Sequence, residues 1–140
     1  AAEFPWCLAH GTGVIVYSPM QSGLLTGSFT EARAKSLGTD DWRSRSPEFQ
    51  SPRLQANLAL ADALRPIAAR HNTTVGAVAV AWTLAAPGVT GAIVGARNPK
   101  QVGGWIDAGH VELTTGDIAD IARAIEHTGA GTGPITVGSR

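Results

Sequence analysis

The fold turns on residues 11–27, Gly11-Thr12-Gly13-Val14-Ile15-Val16-Tyr17-Ser18-Pro19-Met20-Gln21-Ser22-Gly23-Leu24-Leu25-Thr26-Gly27. Val14 to Tyr17 is a short apolar run without polar alternation, which predicts a strand covered on both faces, as in the parallel sheets of α/β proteins. It empties into a polar loop rich in Pro and Gly. A second unit echoes it, where Ala92-Ile93-Val94 leads into Gly95-Ala96-Arg97-Asn98-Pro99. Both predicted strands end in a turn able to offer backbone N–H groups, and hydroxyl or guanidinium donors, to an anion.

Upstream, Glu3 to His10 reads as the end of a helix stopped by Gly11 in a left-handed cap. Phe4, Trp6 and Leu8 have nothing before them to pack against, so the chain is expected to be a portion of something longer. Downstream, Gly27 to Pro52 lacks clear periodicity, as functional or mobile connections do. Ser51 is expected to cap a helix with Pro52 at its first position. The buried stripe of that helix is Leu54, Leu58, Ala61, Leu64 and Ala68, with a break at Pro66 and a close at Asn72. Thr73 or Thr74 caps a second helix over about 75–85, apolar nearly all round and so suited to deep burial. Pro87-Gly88 ends it, and the second strand covers about 91–94.

Asn98-Pro99-Lys100-Gln101 has the order of a capping box, and its helix is expected to run on through Val102, Trp105 and Ile106. Thr115 caps a last helix whose Ile118, Ile121, Ala122 and Ile125 share a face. From about Gly129 a flexible tail is expected. The order of strand, long loop, two helices, strand, helix, helix fits one α/β domain over 1–140, drawn from either a doubly wound sheet or a (β/α) barrel. Two strands close neither.

Composition narrows the function. The chain has 140 residues and 44% hydrophobic content, enough for one core. Lys plus Arg and Asp plus Glu stand at 11 each, so no global field draws nucleic acid or an anionic membrane. The single cysteine, Cys7, lies among apolar neighbours and reads as a buried thiol in a reducing compartment. No signal peptide is visible, and no apolar run approaches the ~18 residues of a membrane span. A soluble cytoplasmic protein is the expectation.

Several tempting motifs fail on context. Gly11-x-Gly13 precedes its strand, whereas a dinucleotide fingerprint follows one. Ser22-Gly23 has Met20 where a hydrolase nucleophile elbow requires Gly. His10, His71, His110 and His127 are scattered without metal-ligand spacing, and read as helix-end or surface residues. Asp40-Asp41 in the loop, and Asp117 and Asp120 at the start of the last helix, read as solvated structure. Arg97 differs, because it follows a buried strand and precedes a capped helix start, where phosphate is readily held. An Arg there serves equally as the partner of a surface carboxylate, and sequence context leaves both readings open. Tyr17-Ser18 is similar, either a stacking face with a hydroxyl beside it or core packing and turn chemistry.

Taken together, three motifs resemble the aldo-keto reductases: Val-Ile-Val-Tyr-Ser-Pro-Met-x-Ser-Gly-Leu-Leu-Thr-Gly at 14–27, Ala-Val-Ala-Trp-Thr-Leu at 79–84, and Pro-Gly-Val-Thr-Gly-Ala-Ile-Val-Gly-Ala-Arg-Asn-Pro-x-Gln-Val at 87–102. The resemblance implies the last two strands of a TIM barrel with their covering helices, an incomplete barrel. It implies NADP(H) as cofactor and a small carbonyl substrate, reduced by hydride transfer in a complete barrel. Residue by residue, Tyr17 occupies the place of an aromatic stacked on nicotinamide. Ser18, Met20 and Ser22 fall where the family contacts pyrophosphate and ribose, with Leu24 in the same wall. Gly95, Ala96 and Arg97 match the turn around the adenosine 2′-phosphate, and Gln101 a polar contact near adenosine. The family often has a Glu-Asn pair where Gly104 and Trp105 stand, so adenine is expected to meet the indole instead. Its catalytic Asp, Tyr, Lys and His lie in earlier strands, and nothing here matches them. The expectation is a cofactor-binding portion with no catalytic residue and no metal site, inactive alone. Two rivals stand beside it: a half-barrel module that associates through open strand edges, and an unrelated anion-binding α/β protein.

Overall fold

The structure is a computed structural model describing residues 3–137. Helix α1 covers Glu3–Ala9 and strand β1 Val14–Tyr17, with Gly11 left-handed between them at φ 64°. A 3₁₀ segment, Gln21–Thr26, ends at the left-handed Gly27, where a Cβ would lie 2.9 Å from that of Val75. The long connection is more ordered than its sequence suggests. It holds helix α2 (Glu31–Lys35), capped by Thr30, and two 3₁₀ turns, Trp42–Arg45 and Pro47–Phe49. Phe49 meets Phe29 and Trp42 edge-on, with centroids 5.4 and 6.0 Å away, and so gives the loop a small core of its own.

Helix α3 (Arg53–Ala63) gives way to α4 (Arg65–Arg70) at Leu64, because Pro66 supplies no N–H to continue the ladder. Ser51 does not cap α3. Pro52 takes the cap position itself, after a cis Ser51–Pro52 bond, and no side chain accepts there. Helix α5 (Val75–Leu84) starts at Thr74, whose Oγ accepts the Ala77 N–H at 3.0 Å. Residues 75–81 of α5 are all buried, as its apolar circumference requires. Strand β2 runs Val89–Ile93, two residues earlier at its start than the sequence signal.

The helix expected after Asn98 is short. Helix α6 covers only Pro99–Val102, and a 3₁₀ turn, Ile106–His110, follows across Gly103-Gly104. Two consecutive glycines stop propagation before Trp105 can join the helix. Helix α7 covers Thr115–Thr128, and its cap is Thr114, one residue before the expected Thr115, because Asp117 answers Thr114 in a reciprocal capping box.

β1 and β2 pair in parallel, with Tyr17 opposite Ile93 and an irregularity between Val14 and Ile15. Only one face of the pair is covered, which corrects the expectation of burial on both. Val14 and Val16 are partly buried, whereas Ile15, Tyr17 and Ile93 are exposed. α5 packs behind the sheet, and α3, α4 and α7 build the main core around Leu60, Leu64, Ile67, Val78 and Ile121. Ala130 is buried in that core, so the expected flexible tail does not begin at Gly129. The part of that expectation at 138–140 lies outside the described residues. Among the described residues, no helix is long and apolar enough to cross a membrane.

Candidate functional site

A cleft of about 990 Å³ opens beyond the C-terminal ends of β1 and β2. In parallel α/β architecture this is where ligands bind, since loops leaving adjacent strand ends diverge and leave a crevice. Eight of the nine residues singled out in the sequence line it: Tyr17, Ser18, Met20 and Ser22 from one side, Gly95, Ala96, Arg97 and Gln101 from the other. Leu24 does not. Its side chain is 1% exposed and packs with Phe49 and Leu54 behind the cleft wall.

The β1 loop reaches the cleft through unusual backbone. Ser18, Gln21 and Ser22 all adopt left-handed conformations, with φ of 56°, 49° and 54°. L residues hold that conformation only where surrounding structure compels it, and such positions cluster at functional sites. Arg43 is part of what compels it. This side chain, 11% exposed, donates from Nη1 to the Ser22 carbonyl at 3.4 Å and packs its guanidinium 5.8 Å from the Phe49 ring centre. Asp41 fixes Arg43 in turn, accepting from Nε at 3.0 Å and Nη2 at 2.6 Å. The Arg43 hydrogen bonds hold the Asp41 carboxyl well below its ordinary range, and Asp41 raises the Arg43 pKa. Asp41, expected to be solvated, is therefore a structural anchor.

On the β2 side, Asn98 caps α6 by accepting the Gln101 N–H at 3.1 Å. The box is not reciprocal as expected. Gln101 Oε1 reaches one residue further back and accepts the Arg97 N–H at 2.7 Å. That bond fixes the Gly95–Arg97 turn and sets the Arg97 side chain, 70% exposed, at the cleft edge. Its Nη2 lies 3.9 Å from Asp41 Oδ2, so a single carboxylate stands between the arginines of the two loops.

The cleft floor depends on close approach. A Cβ on Gly76 would lie 3.1 Å from the Gly104 carbonyl and 3.3 Å from the Met20 sulfur, so glycine lets the start of α5 meet both loops. Thr74 Oγ donates to the Gly104 carbonyl at 2.5 Å and pins the loop there. Trp105 lines the cleft but packs against Met20, Ala77, Val80 and Ala108, and its Nε1 is buried without a partner. Its indole is thus mostly committed to the core.

Sequence reasoning missed Phe29, Arg33, Trp42, Arg43 and Lys100, which also line the cleft. Four come from the long connection, where aperiodic sequence gives no indication of which side chains turn inward. None of the histidines lines it, and no cluster of three or more His, Cys, Asp or Glu among the described residues could hold a metal. The lining carries Arg33, Arg43, Arg97 and Lys100 and no carboxylate. The lining is thus cationic, with Tyr17, 80% exposed, offering a flat ring at one end.

Comparison with known proteins gives this arrangement a family. The aldo/keto reductase family model matches residues 3–126. The chain is 32% identical over 125 residues to the aldo-keto reductase YhdN of Bacillus subtilis, and 29% identical over 125 residues to an NADH-specific methylglyoxal reductase of Escherichia coli. These alignments cover 89% and 87% of this chain, and the chain spans 37% of each relative. The solved glycerol dehydrogenase of Gluconobacter oxydans superposes with a TM-score of 0.80 at 30% identity, over 97% of this chain and 41% of that one. The architecture is accordingly α/β, two parallel strands and covering helices of an incomplete TIM barrel. By sequence motif, strand pairing and family model alike, this chain belongs to the aldo/keto reductase family.

Proposed function

We propose that these residues are the cofactor-holding part of an NADP(H)-dependent aldo-keto reductase acting on small carbonyl compounds. The observation that carries the reading is the cleft itself, cationic through Arg33, Arg43, Arg97 and Lys100, free of carboxylates in its lining, and placed at two strand ends. A dinucleotide needs such a site, because its phosphates bring charge that only guanidinium, ammonium and N–H donors offset.

When bound, the nicotinamide cofactor supplies hydride to the carbonyl carbon. The chain's own residues bind and orient it. The exposed ring of Tyr17 gives the nicotinamide a stacking face beside Ile93. Ser18, Met20 and Ser22, held by Arg43, line the pyrophosphate path. Gly95 and Ala96 leave room at the turn, and Arg97 meets the adenosine 2′-phosphate, with Gln101 setting the turn from behind. Adenine rests near the accessible edge of Trp105.

The reduced oxygen also needs a proton donor. The lining contains no acid and no histidine, and Tyr17 is committed to stacking. The donor therefore belongs to other parts of a complete barrel, and residues 1–140 by themselves reduce no carbonyl. A reducing cytoplasmic setting suits the lone Cys7. The balance of 11 basic and 11 acidic residues suits a small anionic ligand over nucleic acid.

The test is a tryptophan-fluorescence titration with NADPH, followed by NADPH-oxidation assays with several aldehydes. Quenching that saturates, with oxidation no faster than a protein-free blank, is the expected result. Absence of any nucleotide-dependent change sinks the binding role, and turnover above the blank sinks the claim of inactivity. A second reading, self-association, draws on the exposed row of Ile15, Tyr17 and Ile93 beside sheet edges left open among the described residues.

A further inference from the structure

We propose that Asp41 sets the choice between phosphorylated and unphosphorylated nucleotide, by placing a fixed negative charge beside Arg97 that disfavours NADP(H) and keeps NAD(H) competitive. This rests on the cofactor reading above and adds a residue to it that no motif match includes. Three observations carry it. Asp41 cannot drift away, because Arg43 grips both its oxygens, at 3.0 Å from Nε and 2.6 Å from Nη2, and its own Oδ1 accepts the Arg43 N–H at 3.1 Å. Its Oδ2 lies 3.9 Å from Arg97 Nη2, across the cleft mouth from the loop that carries it. It sits just outside the cationic lining, where it is the carboxylate that both arginines share.

The consequence follows from charge. A 2′-phosphomonoester brings roughly −1.5 to −2 charges at neutral pH, whereas a ribose 2′-hydroxyl brings none. Any phosphate that engages Arg97 must share that guanidinium with Asp41 and bear its repulsion at close range. A ribose diol meets no such opposition. Asp41 stays ionised at any working pH because Arg43 holds its proton affinity far below the ordinary carboxylate range. The discrimination is thus built in and not a pH switch.

The experiment measures dissociation constants of NADP⁺ and NAD⁺ for the full chain and for Asp41→Asn, by tryptophan fluorescence. Both ligands share the pyrophosphate, so any release of Arg43 toward it affects both constants and cancels in their ratio. The expected result is a shift of the ratio toward NADP⁺ of roughly fivefold, carried by the NADP⁺ constant and fading at about 1 M salt as screening shortens. In an Arg97→Gln background the same change should shift the ratio less than about twofold, because the shared guanidinium is gone. If Asp41→Asn does not fold by circular dichroism, Asp41→Ser takes its place, since its hydroxyl still caps the 3₁₀ turn. A ratio that stays within about twofold, or moves toward NAD⁺, overturns the assignment while leaving the cofactor reading intact. Failure of the unmodified chain to bind either nucleotide overturns both.

Discussion

Arg97 and Leu24 belong to the two loops that flank the cleft, one at its surface and one behind it. Arg97 is exposed, its backbone tied to Gln101 and its guanidinium 3.9 Å from Asp41 Oδ2. Replacing it with Ala removes a charged donor from the proposed 2′-phosphate position. NADPH affinity is expected to fall about ten- to a hundredfold, the range for a lost hydrogen bond to a charged group. NADH affinity should change by less than about threefold, and titration of both nucleotides reads the difference. An equal loss for both would mean that Arg97 serves the pyrophosphate. Leu24 is sealed between Phe49 and Leu54, where truncation leaves a cavity that the small loop core cannot refill. Leu24→Ala should cost about 2–4 kcal/mol in urea unfolding. A loss under about 1 kcal/mol would show that the loop relaxes into the void.

At the level of elements, α4 and α7 are joined by a buried carboxylate. Asp117, 2% exposed, accepts from Arg70 Nη2 at 2.6 Å, from His71 Nε2 at 2.7 Å and from the Thr114 hydroxyl at 2.7 Å. Burial alone would raise its pKa, but the bonds from Arg70, His71 and Thr114 outweigh that and hold it well below the ordinary 3.8. A depressed folded-state pKa contributes stability fully present above the unfolded value and lost as pH falls through the folded one. Acid unfolding curves should therefore show stability declining below pH 3.8, more shallowly in Asp117→Asn, which should also cost roughly 2–3 kcal/mol at neutral pH. Parallel pH profiles for the two proteins would remove Asp117 from that role. The clasp also marks where sequence stops being informative. The strand at 14–17, the Thr74 cap and the break at Pro66 are local events, written in β-branching, a hydroxyl and a missing N–H, and they stand where the residues put them. Asp117 finds Arg70 across 47 positions, and Arg43 finds Ser22 across 21, with no periodicity to announce either pairing. Asp117 consequently looks like an ordinary helix-start carboxylate and Asp41 like a loop charge. Eight of the nine residues that the family resemblance singled out line the cleft, because the motifs carrying it lie at strand ends that the fold brings together. Leu24 shares the motif but not the surface, since α3 and Phe49 decide its burial from 25 or more positions away.

For the molecule as a whole, the decisive surface is the one the helices do not cover. Ile15, Tyr17 and Ile93 form an exposed apolar row on the strand pair, and Phe4, Trp6 and Leu8 of α1 add a second exposed patch. Among the described residues each strand hydrogen-bonds only one neighbour, so each also presents an unpaired edge. A parallel sheet ordinarily has both faces covered, and a bare face beside an open edge favours pairing with another chain. Sedimentation velocity should accordingly show a weight-average mass that rises from low to high micromolar concentration. Hydrophobic burial predicts how strongly the row contributes. Sealing an isoleucine against a partner is worth about 1.5–3 kcal/mol, so Ile15→Lys with Ile93→Lys should weaken association at least tenfold. Neither side chain helps hold the main core, so circular dichroism should be unchanged. Ile93 lines the cleft beside Tyr17, so the single Ile15→Lys variant, which leaves both in place, separates association from nucleotide stacking at the same strand end. A chain that stays monomeric throughout would show that the open strand pair resists pairing unaided.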